Sequence, residues 1–329
     1  MNITFNTKGY DPFIDFIKAY AILCVLLGHS LLPLGKIGYS LWAGMQVPLF
    51  ILIQSFHCYK KDELKVNISK IFRRVFVPFL ILEAVVFLIA LLLDFHECNY
   101  LITKFLNAGG YGNGSYYPWI YLQVALLLPV FGKLLKLLNK TWSFILFILI
   151  CEGMEVLVSC IGMSEVLYRL LAIRYVFLFY MGWLWAKEGI KINAFSVLLS
   201  VISLVAIIYF EYFSINNEPW FFKTGWKSHR WPCYFWVAYG LTVILYELYQ
   251  KLKDNNWIVN IIKTLAICSY EIFLVQMTIR FFFLKSFLDF IPNAKISFLL
   301  WIVIFWTTSI YGGILLNRCL LKINDKKIG

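Results

Sequence analysis

Apolar residues run in unbroken blocks along the chain rather than alternating with polar ones, and the stretch from Phe144 to Ile150 is apolar on every face. A half-buried strand would alternate with period two, and a helix on a soluble core would keep a polar stripe, so such blocks predict helices immersed in lipid. A membrane span needs about 20 such residues at a rise of about 1.5 Å each. That ruler predicts ten helices, at 12–32, 39–58, 75–95, 116–135, 142–161, 166–186, 194–213, 231–250, 258–283 and 296–317. The sixth holds Arg169 and Arg174 and the ninth holds Lys263, Glu271 and Arg280, so these two are expected to be short or broken.

Composition agrees with the pattern. The 329 residues are 61% hydrophobic and 15% charged, whereas soluble domains average about 45–50% apolar and about 25% charged residues. A mean hydropathy of +0.75 excludes a soluble globular domain, a disordered chain, collagen and a coiled coil. The fold class is therefore all-α, a polytopic membrane protein with about ten transmembrane helices. The first apolar stretch starts after residue 11, contains Asp15 and Lys18, and exceeds a signal-peptide core, so it reads as a retained helix. Only the polar tail from Ile323 to Gly329 follows the last span, so one integral-membrane domain over 1–329 is expected, with no appended soluble domain.

The net charge of +12 reflects topology rather than nucleic-acid binding, because most of the Lys and Arg lie in short loops between spans and no nucleic-acid motif accompanies them. With the N-terminus inside, cytoplasmic segments hold eighteen of the thirty Lys and Arg and outer segments seven, which predicts that both termini are cytoplasmic. The eight cysteines include no C-x-x-C pair, and His29, His57, His96 and His229 fall on different segments, so no metal is expected.

Chemistry then has to come from ionisable residues inside the spans, each costly there and each a functional candidate. The first helix carries three. Asp15 and Lys18 stand at i, i+3 and can simply pair. His29 lies eleven residues beyond Lys18, close to three full turns, so both share one face about 16 Å apart along the axis. Histidine is the usual general base near neutral pH.

The segment from Ile14 to His29, with Lys18, a ten-residue gap and His29, resembles the opening signature of the membrane-bound acyltransferase family 3. Other stretches are similar to that family in the same order. They are Val47-Pro48-Leu49-Phe50, the basic loop from Lys70 to Pro78 with Arg73 and Arg74, and the aromatic stretch from Tyr116 to Pro129. Phe179-Tyr180-Met181-Gly182 and the late segment from Ser269 to Gln276 complete the series. Gln54-Ser55 replaces the family's Ser-Gly, while Phe273 and Gln276 replace its Tyr and His. Nothing resembles the family's appended SGNH domain, so a stand-alone member is expected.

The resemblance implies transfer of an acyl group, usually acetyl, from cytosolic acyl-CoA to a hydroxyl of a glycan across the membrane. In that scheme Lys70, Arg73 and Arg74 would clamp the CoA phosphates and Lys18 would lie along the pantetheine arm. His29 would act as general base or acyl relay. Asp15 is about 21 Å away along the same helix, so an orienting partner must come from another span. Glu152 or Glu155 is expected to approach His29, Glu211 falls at a comparable depth, and Glu83 is expected near the inner end of its span. Arg174 would stabilise the thioester oxyanion or pair with a glutamate. Trp220 and Trp226, in the outer loop, would form either a sugar platform or an interfacial belt. The glycine-rich run from Gly109 to Gly114 lacks a following Lys-Ser/Thr and reads as a flexible outer loop at an acceptor entrance.

The expected partners are the bilayer and a surface polysaccharide or lipid-linked glycan, with homo-oligomerisation left open. The expected location is a bacterial plasma membrane. A transporter or flippase, or a non-catalytic scaffold in polysaccharide export, remains an alternative; no internal repeat or matched pair of broken helices supports the transporter.

Overall fold

The computed structural model describes residues 2–30, 45–61, 67–93, 97–168, 170–212, 230–290 and 294–325. Helix α1 (Pro12–His29) opens with Asp11 as its cap, the carboxylate accepting from the Phe13 N–H at 2.9 Å, and with Pro12 where no N–H is required. It is followed by α2 (Gln46–Tyr59), α3 (Ile68–Leu92), α4 (Cys98–Ala108), α5 (Tyr117–Leu137) and α6 (Lys140–Cys160). A 3₁₀ turn at Ala172–Tyr175 leads into α7 (Val176–Glu188). Then come α8 (Ala194–Tyr212), α9 (231–252), α10 (Asn256–Ile267), α11 (Ser269–Phe290) and α12 (Ala294–Asp325).

Every one of the ten apolar segments contains helix. Five helices among the described residues are long and apolar enough to cross a membrane, or six if α10 and the start of α11 form one broken span. The molecule is thus an all-α, multi-pass membrane protein, and the remaining segments are shorter or interrupted. The ninth segment bends by 68° at Cys268, and the sixth starts with a separate turn at Glu165–Tyr168 before α7. Helix α4 was not expected, because an eleven-residue helix carrying Asn99 and Lys104 fails a test for a long apolar run. Nor was the two-residue antiparallel ladder that ties β1 (Asn2–Ile3) to β2 (Ile190–Lys191).

The interior is assembled by close helix pairs. Helix α7 lies on α2 at Gly182, where a Cβ would stand 2.4 Å from the Ser55 Cβ and 2.8 Å from the Phe56 nitrogen. Glycine in the Phe179-x-x-Gly182 pattern and the small Ser55 opposite it are therefore one packing device. Below this crossing the Phe5 ring stacks on Trp185 at 4.8 Å and meets Phe56 at 5.2 Å. The outer faces of α3, α6, α8 and α12 expose Leu92, Leu149, Val205 and Val303, which suits contact with lipid tails. The bend at Cys268 lets α10 and α11 both pack against α1, and this brings α11 past His29.

Candidate functional site

Helix α1 ends at His29, so its last carbonyls lack intrahelical donors. Helix α11 supplies what they lack. Arg280 donates through Nη1 to the His29 carbonyl, and one turn earlier Gln276 Oε1 lies 2.8 Å from His29 Nδ1. An amide oxygen only accepts, so this contact is a hydrogen bond in the tautomer with the proton on Nδ1, which leaves the lone pair on Nε2. A ring held in this tautomer by a neighbour on a rigid helix is poised to take a proton at Nε2.

The glycine-rich run covers this pair, and it is seated rather than flexible. Gly112 lies so close to α11 that a Cβ there would come 1.9 Å from Met277 Cγ and 2.7 Å from the Met277 carbonyl oxygen. Gly114, at φ +93°, would put a Cβ 2.8 Å from the Phe273 ring and 3.7 Å from His29 Cε1. Between them, Asn113 turns its amide oxygen to Arg280, accepting from Nη2 at 3.2 Å and Nε at 3.1 Å. From the other side the Tyr111 N–H donates to Glu83 Oε2 at 2.9 Å, and the Trp119 indole donates to the Gly109 carbonyl at 2.8 Å. Burial and the Glu83 carboxylate raise the Tyr111 phenol above its usual range. Glu83 is thus level with the loop and not near the start of its helix. The physical reason is that α3 starts at Ile68, before the first long apolar run, so Glu83 falls in its second half.

On the approach to His29, α3 contains a π-helical turn at Phe72–Phe76, an irregularity often found at functional sites. It carries Arg73 and Arg74, which with Lys70 are exposed. The Tyr270 hydroxyl donates to the Val75 carbonyl at 2.6 Å, and Arg74 acts electrostatically on Tyr121. From there aromatic rings lead inward. Tyr121 meets Tyr117 at 6.1 Å, Tyr117 meets Phe273 at 5.6 Å and Tyr270 meets Phe273 at 6.3 Å, with Phe273 one turn from Gln276. Gln276 lies six positions beyond Tyr270, about 9 Å along α11.

The remaining sequence candidates go elsewhere. Lys18 pairs with Asp15 at 3.1 Å, and Asp15 also accepts from the Tyr10 hydroxyl at 2.8 Å. Burial, then Asp15, pushes the Tyr10 phenol up to about 12. Glu152 and Glu155, expected beside His29, engage Arg230 instead, at 3.0 and 4.0 Å. The Tyr168 hydroxyl donates to Glu155 at 2.7 Å, and Arg174 lies over the Tyr168 ring at 4.7 Å with Glu155 among its electrostatic neighbours. The correction has a simple cause: similar depth on two helices does not place them side by side, and the cation that neutralises these carboxylates arrives from the start of α9. Trp220 and Trp226 lie outside the described residues, as does the side chain of Glu211.

Arg230 is 3% exposed and Glu155 1%, so this network is buried, and breaking a buried pair costs about 3–5 kcal/mol. Arg230→Met is expected to lower the thermal midpoint of the detergent-solubilised protein by several degrees. Glu152→Gln should lower it less, because that side chain is 31% exposed. Equal midpoints for Arg230→Met and the parent would contradict the assignment of a structural role.

Sequence reasoning missed Arg280 and Asn113 at the His29 end. Arg280 stood in view as a cation inside a span, one turn after the quoted Gln276 on the same face. Asn113 carried no comparable signal.

A multi-helix membrane body with a half-buried histidine held by Gln276 and an arginine-bearing turn defines the class, and the comparison with known families agrees with it. Residues 11–318, nearly the whole chain, match the family model described as an acyltransferase domain, and the chain belongs to acyltransferase family 3. No curated protein and no solved structure matches it.

Proposed function

We propose that this membrane acyltransferase takes an acyl group, acetyl in the simplest case, from acyl-CoA on the cytoplasmic side. The acceptor is a hydroxyl of a surface polysaccharide or lipid-linked glycan at the other side of a bacterial plasma membrane. The observation that carries the reading is the run of ring contacts that links the basic turn at Arg74 to the stretch of α11 that contacts His29. A basic turn at one end suits the CoA phosphates, aromatic faces suit the slender pantetheine arm, and a histidine whose Nδ1 is held by Gln276 suits the thioester.

In this reaction the acceptor hydroxyl gives its proton to His29 Nε2 as its oxygen bonds to the thioester carbon. The carbonyl electrons move onto oxygen, return as the C–S bond breaks, and His29 passes the proton to the departing sulfur, leaving an ester and free thiol. Gln276 holds the tautomer that makes Nε2 the base, and Arg280 fixes the end of α1. Lys18 is neutralised by Asp15, which favours a supporting role at the donor mouth over direct contact with thioester. Arg174, in the buried network, is better suited to holding Glu155 than to contacting the donor.

Cells producing the protein should carry base-labile acyl esters on surface glycans that are missing from cells without it. Absence of any such protein-dependent ester would count against the acceptor and reaction together. The donor clamp makes a narrower statement. Each charge-assisted hydrogen bond lost is worth about 1.5–3 kcal/mol, so a double Arg73→Gln, Arg74→Gln variant is expected to raise KM for acyl-CoA by about tenfold or more. Its kcat at saturating donor should change far less, and an unchanged KM would remove these residues from the donor site.

A further inference from the structure

Gln276 is fully buried and its two polar atoms are used unequally. Oε1 meets His29 Nδ1 at 2.8 Å, whereas Nε2 finds no acceptor among the described residues. A buried N–H without a partner costs about 1–3 kcal/mol, and a methionine of similar length would fill the same space without that cost. If orienting His29 were the whole task, an acceptor alone would suffice. Among the described residues that N–H is left for a ligand, and its position gives such a role chemical content. His29 Nε2 serves the attacking hydroxyl, so the oxygen still needing a donor in the transition state is the thioester carbonyl oxygen, where negative charge develops. Gln276 stands one turn beyond Phe273, whose ring packs on Tyr117, and touches the histidine that handles the proton.

We propose that the Gln276 side-chain N–H donates to the acyl carbonyl oxygen of the donor and stabilises the oxyanion, so that one amide both orients the base and polarises the electrophile. The assignment rests on the acyl-CoA reading above. It makes Gln276 a catalytic residue in its own right, at the position where the family signature has a histidine. Two neighbouring polar groups are already engaged: Arg280 holds the His29 carbonyl and Asn113, and Glu83 holds the Tyr111 N–H.

The test uses full-length protein in nanodiscs and two unreactive donors. One is the ketone analogue of acetyl-CoA with a methylene in place of the thioester sulfur, and the other is S-ethyl-CoA, which lacks the carbonyl oxygen. The parent is expected to bind the ketone about fivefold to tenfold more tightly than the thioether, the worth of one hydrogen bond. Gln276→Met should bind both equally, at the thioether affinity. Gln276→Glu keeps an acceptor for Nδ1–H but has no N–H, so it too should lose the preference; it also serves if the methionine variant fails to fold. A parent with no preference, or a preference that survives in either folded variant, would overturn the assignment while leaving the donor reading intact. No saturable binding of either analogue to the parent would overturn the acyl-CoA reading and this assignment with it.

Discussion

His29→Ala is expected to lower acyl transfer by about 10²–10⁴-fold, the usual contribution of a positioned general base, while membrane level and stability stay close to those of the parent. His29 closes the last turn of α1, its carbonyl is held through the backbone by Arg280, and that contact survives loss of the ring. Only the Gln276 tether and the Nε2 lone pair disappear. The loss should therefore fall on kcat, with KM for acyl-CoA little altered, because the basic turn proposed to hold the donor remains. Purified protein in proteoliposomes, assayed for ester formation with labelled acetyl-CoA over a range of donor concentrations, separates the two parameters. A His29→Ala protein with the parent's kcat would contradict a base at this position.

Gly112→Ala is expected to be nearly as damaging, although the residue carries no reactive group. Its Cβ would fall 1.9 Å from Met277 Cγ and 2.7 Å from a backbone oxygen of α11. A flexible methionine can swing away, but a helix backbone cannot. The loop must lift, and Asn113 is carried off Arg280, loosening the helix that holds Gln276 against His29. Overpacking of this kind costs about 1–3 kcal/mol in stability, and displacement of catalytic groups by about 1 Å costs up to about 10²-fold in rate. The control is Gly153→Ala in α6, where an added Cβ meets nothing within 4 Å, and activity should be unchanged. Equal activity of Gly112→Ala and Gly153→Ala would show that the seating of the loop on α11 does not matter to the chemistry.

These two residues also mark what could be read from the sequence. The blocks of apolar residues located every major helix, since lipid demands a long apolar run and internally satisfied backbone. Charges inside the sixth and ninth segments foretold their interruption, realised as the turns before α7 and the bend at Cys268. Pairings across the fold were not legible. Gln276 is 247 residues from His29 and Arg230 is 78 from Glu152, and depth along a helix carries no information about which neighbour a side chain faces. The glycine run was read as flexible because its composition is permissive. Its actual role, close approach to Met277 and Phe273, depends on surfaces that exist only once α11 is in place.

The most direct test of the account uses sealed membrane vesicles with the cytoplasmic face outward, a trapped glycan acceptor, and labelled acetyl-CoA supplied outside only. Label is expected to appear on the enclosed acceptor as base-labile ester with the parent protein, and to be absent with His29→Ala at matched protein levels. Equal labelling by the two proteins, or labelling confined to the outside medium, would contradict a transmembrane acyl transfer centred on His29.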